Sequence, residues 1–185
     1  MKHDLLNPDN TILLIIDIQE KLLTPQFNKE KIVKNSAILA HTAKILNLPV
    51  ILSEQYPKGL GSTIGEIKDN LPENGTEFIE KTSFDCCIDE NFNKIIKKYN
   101  RKQILVCGME SHVCVHQTVY SLLSQNYDVY PVQDAISSRH EAEYKIGITR
   151  MLDNGAIPCC TEMALFELIK DAKHPKFKEI QGLIK

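Results

Sequence analysis

The sequence predicts a doubly wound, Rossmann-like α/β fold, a parallel sheet with helices on both faces. Three observations carry that expectation. Short runs rich in Ile, Val and Leu recur along the chain. Most are followed by a stretch with helical spacing. The runs are bounded by Pro, Gly, Asn or Asp and are nearly continuously apolar, as strands buried on both faces are. Strand alternating with helix implies parallel pairing.

The elements follow in order. Thr11–Ile16 (TILLII) is the first predicted strand, and Asn28–Leu46 carries Val33, Ala37, Ala40 and Ala43 at helical spacing. Pro49–Ser53 is the second strand. Glu54–Asn74 crowds glycine and proline into Pro57–Gly65 and reads as a long functional loop. Glu77–Glu80 is the third strand. The helix predicted over Asp89–Lys102 begins acidic and ends basic, which suits the helix dipole. Gln103–Cys107, Asp128–Val132 and Ala156–Cys159 are further strands, and His112–Gln125, Glu141–Asn154 and Glu162–Ala172 further helices. The tail places Phe177, Ile180, Leu183 and Ile184 at helical spacing, which predicts a helix over about 174–185. Its apolar stripe has two uses open to it, joining subunits or folding back on its own. No repeat, linker or low-complexity segment interrupts residues 1–185, which are read as one domain.

Composition narrows the function classes. The 185 residues are 43% hydrophobic and 25% charged, ordinary for a globular protein. A net charge of -2 offers no basic excess for nucleic acid. No apolar run approaches the roughly 20 residues of a membrane span. The segment MKHDLLNPDN lacks the apolar stretch of a signal peptide, so a cytoplasmic location is expected. The six cysteines, Cys86, Cys87, Cys107, Cys114, Cys159 and Cys160, are then expected to be reduced. The two doublets lack C-x-x-C spacing and read as packing at element ends, with no assigned role.

Open α/β sheets bind ligands at the carboxyl ends of their strands. The first strand ends at Asp17, the third at Lys81, and the fourth at Gly108 with Cys114 at the start of the next helix. Asp17 could cap the next segment, Lys81 could be a solvated lysine, and Cys114 could belong to the core. Together they supply a nucleophile, a base for its proton and a cation, which is what covalent catalysis requires.

These segments, LLIIDIQE around Asp17, EKTSFD around Lys81 and CGMESHVCVHQTV around Cys114, in that order, resemble the isochorismatase-like, or cysteine hydrolase, superfamily. SEQYPKGLG at Ser53–Gly61 and HPKFKEI at His174–Ile180 look more narrowly like the isochorismatase-domain-containing proteins of undefined substrate. The resemblance implies a six-stranded parallel sheet and a catalytic Asp17, Lys81, Cys114 triad. In that triad Asp17 takes the thiol proton, Lys81 lowers the thiol pKa and Cys114 attacks a carbonyl. It also implies a cis peptide at Met109–Glu110, which would set the Glu110 N–H beside that of Cys114 as an oxyanion hole. A homo-oligomer is expected because such relatives commonly assemble.

Relatives that hydrolyse nicotinamide carry an Asp-x-His motif and a further histidine for a metal. Here no histidine lies between His41 and His112, so no catalytic metal and no cofactor are expected. His112 and His116, one helical turn apart, lack a third ligand and an H-E-x-x-H frame. Gln19, Gln55, Tyr56, Phe84 and His112 are candidate substrate-binding residues by their position beside strand ends. The partner expected is a small amide or related acyl compound, not nucleic acid or membrane. Two other classes remain open. One is a thiol redox protein that uses Cys114 with Cys107 or a doublet; the other is a non-catalytic binding or assembly member of the fold. The absence of GxGxxG after the first strand weakens a dinucleotide enzyme.

Overall fold

The computed structural model describes residues 4–185. Five parallel strands, β1 Thr11–Ile16, β2 Val50–Gln55, β3 Thr76–Lys81, β4 Gln103–Met109 and β5 Asp128–Ser137, form one sheet in the order β3-β2-β1-β4-β5. β1 is central, and every residue in it is buried. The order reverses between β1 and β4, and that reversal opens a crevice at their carboxyl ends.

Alternation along each strand divides the core in two. Leu13, Ile15, Leu52 and Leu105 face α2 (Lys29–Leu46) and α8 (Thr161–Ile169). Ile12, Leu14, Ile16, Ile104 and Val106 face α5 (Glu90–Lys98), α6 (His116–Ser124) and α7 (Glu141–Asp153). Asp89 caps α5, its Oδ1 accepting from the Phe92 N–H at 2.8 Å. α2 ends at Asn47, which takes a left-handed φ of 54°, as Asn tolerates at such positions.

Three differences from the sequence reading have physical reasons. The sheet has five strands rather than six. Ala156–Cys159 does lie beside β5, with the Ile157 N–H on the Val129 carbonyl at 2.8 Å and the Gln133 N–H on the Cys159 carbonyl at 3.0 Å. Pro158 has no N–H to continue the ladder, so only a single bridge, Val132 to Cys159, forms. β5 runs on to Ser137, past the predicted end at Val132, through an irregularity opposite Val106 and Gly108. Glu54–Asn74 is not a bare loop, because β2 extends to Gln55 and is followed by short turns α3 (Pro57–Leu60) and α4 (Gly65–Lys68). A further turn, α1 (Glu20–Leu23), follows β1.

The tail forms α9 (Phe177–Gly182). Ile180 is fully buried, and Phe177, Leu183 and Ile184 pack against the core beside α8. The stripe is therefore used within the subunit. Among the described residues no helix is long and apolar enough to cross a membrane.

Candidate active site

β1 delivers Asp17 to the crevice. Asp17 adopts φ 54°, in the left-handed region that few residues other than glycine tolerate. Its N–H donates to the Ser53 carbonyl at 3.1 Å, and its own carbonyl accepts from the Gln19 N–H at 2.8 Å. The carboxylate has no exposed surface. Burying such a charge unpaired would be prohibitive, and two donors answer it. Ser53 Oγ donates to Oδ1 at 2.7 Å, and Lys81 Nζ donates to Oδ2 at 2.7 Å. Register brings Ser53 there, since it pairs with Ile16 at the end of β1.

Lys81 ends β3 opposite Gln55. Its ammonium donates to Gln55 Oε1 at 2.7 Å as well as to Asp17. Burial alone would lower the lysine pKa; the Asp17 carboxylate, helped by the thiols of Cys86 and Cys114, reverses that and holds it above the usual value. Gln55 is fixed in turn by the carbonyl of Thr82, 2.7 Å from its Nε2. Gln19 clamps the same backbone, accepting from the Gln55 N–H at 2.7 Å and donating to the carbonyls of Gln55 at 3.0 Å and Gly61 at 2.6 Å.

β4 delivers the thiol. Gly108, at φ 128°, lies so close to β1 that a Cβ there would collide with the Ile16 backbone, its nitrogen 2.7 Å away. Only glycine fits that approach. The peptide between Met109 and Glu110 is cis. Ser111–Val115 then form a wide π-type turn, with the Val115 N–H on the Glu110 carbonyl five residues back at 3.2 Å. α6 follows directly. Gly147 of α7 packs against this turn, where a Cβ would meet Ser111 Oγ at 2.6 Å.

Cys114 sits on the turn beside Asp17 and Lys81, 6% exposed. Burial pushes its pKa up, the Asp17 carboxylate pushes it further, and Lys81 pulls it down without prevailing. The expectation of a depressed thiol pKa is thus reversed. That direction leaves the thiol holding its proton more tightly than a free cysteine does.

A cleft of about 270 Å³ opens on Cys114. Leu22, Leu60, Met109 and Val113 form its apolar wall, Tyr56 and Phe84 stand at it half exposed, and Gln55 and Glu110 add polar groups. The Glu110 carboxylate accepts from Arg139 Nε at 2.9 Å and Gln26 Nε2 at 3.3 Å. Of the sequence candidates, Gln55, Tyr56 and Phe84 line this cleft, while Gln19 lies behind it as the clamp on Gln55. His112 does not line it; its Nδ1 is 3.0 Å from Ser138 Oγ. His116 Nε2 is buried without a partner, and among the described residues no three His, Cys, Asp or Glu side chains are grouped to hold a metal. A larger cleft of about 580 Å³ lies between α2, β5 and α7, but of its two carboxylates Asp134 is committed to Thr161 at the start of α8 and Glu141 is paired with Lys145 at 2.9 Å. The triad does not open into it.

Ser53, Leu22, Leu60, Met109 and Val113 escaped the sequence reading. Ser53 alone left a signal, as the hydroxyl ending the otherwise apolar run of β2.

Fold and site define a class: a doubly wound α/β protein with a carboxylate, an ammonium and a thiol gathered where the strand order reverses. Residues 11–163 match the isochorismatase domain model, and the chain belongs to that family. It is 37% identical over 182 residues to isochorismatase domain-containing protein 2 of Danio rerio, covering 97% of this chain and 89% of the relative. Among solved structures it is similar to the MAR1 ribonuclease of Caenorhabditis elegans, with a TM-score of 0.93, 38% identity and 98% and 92% of the two chains covered. It is also similar to YcaC of Pseudomonas aeruginosa, solved with hexane-2,5-diol and covalent acrylamide, with a TM-score of 0.91, 26% identity and 99% and 93% covered.

Proposed function

We propose that the protein is a cysteine hydrolase that cleaves a small amide or related acyl compound through a thioester on Cys114. The observation that carries this is the buried Lys81–Asp17 pair beside a thiol that opens into a cleft. The steps follow from the groups present. Asp17 takes the thiol proton as Cys114 Sγ bonds to the carbonyl carbon, and Lys81 balances the charge that passes to sulfur. The N–H groups of Glu110 and Cys114 receive the developing oxyanion. Collapse expels the amine, which takes the proton back from Asp17. Water then attacks the thioester carbonyl, Asp17 accepts its proton and passes it to Cys114 Sγ as the C–S bond breaks, and the acid leaves with the thiol and the carboxylate restored.

Because the resting thiol is protonated, Asp17 acts during attack and not beforehand. Covalent acrylamide in the Pseudomonas protein supports a reactive nucleophile in this family, since acrylamide alkylates thiols. Mass spectrometry of protein quenched during turnover of small amides tests the reading. An acyl group on the Cys114 peptide is expected; ammonia release that persists undiminished in Cys114→Ser would sink it.

The name of the Caenorhabditis structure raises RNA cleavage as a second reading. The net charge of -2 and a cleft wall without lysine or arginine weigh against it. A homo-oligomer is proposed as well, supported by the exposed apolar side chains of Tyr56, Phe84 and Ile88 near the cleft. Sedimentation velocity at monomer mass across the micromolar range would remove that claim.

A further inference from the structure

The Cys114 cleft is unusual for what its wall leaves out. Six of its lining side chains, Leu22, Tyr56, Leu60, Phe84, Met109 and Val113, are apolar or aromatic. None is a cation. The nearest ammonium, Lys81, is buried and committed to Asp17 and Gln55, both at 2.7 Å. Arg139 is committed to the Glu110 carboxylate at 2.9 Å and does not line the cleft. Lys58 lines a neighbouring depression that shares Tyr56 with the cleft.

A carboxylate carried into this space would lose its water and find no lysine or arginine on the wall. Unpaired anions are not buried at such sites. Uncharged carbon, by contrast, gains from contact with the six apolar side chains. The volume, about 270 Å³, is below the roughly 300–1,000 Å³ of pockets that hold drug-sized ligands.

We infer that the site accepts small, uncharged acyl compounds with an apolar aliphatic or aromatic acyl part and, having no cation on its wall, rejects substrates bearing a carboxylate. This rests on the reading of Cys114 as nucleophile. It separates the protein from an enzyme for isochorismate, a dicarboxylate, although the family carries that name. Tyr56 and Phe84, half exposed at the cleft, are the surfaces the acyl group would cover.

Two alkylating reagents of nearly equal size differ in the relevant charge: iodoacetamide is neutral and iodoacetate is an anion. Rates of modification at Cys114 are measured by peptide mass spectrometry on the native full-length protein, and the same pair is run on glutathione. The expected ratio of iodoacetamide to iodoacetate rate at Cys114 exceeds the glutathione ratio by at least about tenfold. A wild-type ratio equal to or below that of glutathione, with Cys114 labelled, overturns the substrate class and leaves the nucleophile standing. If neither reagent labels Cys114 in the native protein while both label it after denaturation, the nucleophile reading fails and the inference falls with it.

Discussion

Cys107 and Cys114 lie one short stretch apart, yet they occupy opposite chemical worlds. Cys107 is in β4, paired with Ile15, without exposure and packed among Leu105, Leu13 and Tyr130. Burial pushes its pKa to about 12, opposed only by a hydrogen bond with Ser36. Cys114 is nearly as buried and is also pushed up, but its surroundings include a carboxylate, an ammonium and an open cleft. Burial alone makes a thiol inert. Burial beside a base gives its proton a destination, which is the difference between packing and chemistry.

The widest separation between the two should appear on substitution. Cys114→Ser is expected to lower kcat/KM by at least about 10³-fold with the fold intact. Cys107→Ala should leave turnover within a few-fold and cost about 1 kcal/mol of stability, read by urea unfolding. Equal losses of turnover in the two variants would erase the contrast.

Next in size is the partner of the base. Lys81→Met leaves the Asp17 carboxylate buried and answered by Ser53 alone. A loss of about 3–5 kcal/mol in unfolding free energy is expected, together with a fall in Cys114 acylation. A variant as stable as the parent would show that the pair is not the anchor of the site.

Alkaline pH sharpens the comparison from the side of the inert thiols. Cys86, Cys107 and Cys159 are held at about 11, 12 and 12 in the folded state. In the unfolded chain they ionise near about 8.5. Above that pH the folded state binds more protons than the unfolded one, so stability should fall as pH rises. Each thiol contributes a slope of about 1.4 kcal/mol per pH unit until its folded value is reached. Cys107→Ala should flatten the fall by one thiol's share. Over the same range Cys114 alkylation should lag a free thiol at pH 7 and keep climbing beyond pH 9.

The smallest effect belongs to Ser53. Ser53→Ala removes a donor from Asp17 Oδ1 and leaves Lys81 as the remaining side-chain donor to that carboxylate. A loss of kcat/KM of about tenfold or less is expected, with the fold intact. An unchanged kcat/KM would mean the hydroxyl merely fills space.

Much of this was legible in the residues. Near-continuous apolar runs located β1, β2 and β4 because both faces of the sheet are covered there, edge strand β3 showed only the short apolar pair Phe78–Ile79, and the polar residues Asp17 and Lys81 stood out at strand ends. The sixth run looked like the others in composition, but Pro158 interrupts its ladder, and β5 continued because its pairing resumes beyond an irregularity. Helical spacing at His112–Gln125 did not distinguish the π-type turn, since i, i+3 and i, i+4 patterns barely differ over a single turn. His112 turned to Ser138, and Ser53 turned to Asp17, through registers that join distant segments and leave no periodic trace.

The Lys81–Asp17 pair has a consequence for how substrate arrives. Its two charges are 2.7 Å apart and almost wholly shielded from solvent, so beyond the site they act as a small dipole with no net charge. Such a centre cannot draw a molecule in from a distance, and a neutral amide offers nothing to draw. Encounter should proceed by unaided diffusion and be indifferent to ionic strength, because added salt has no long-range field there to screen.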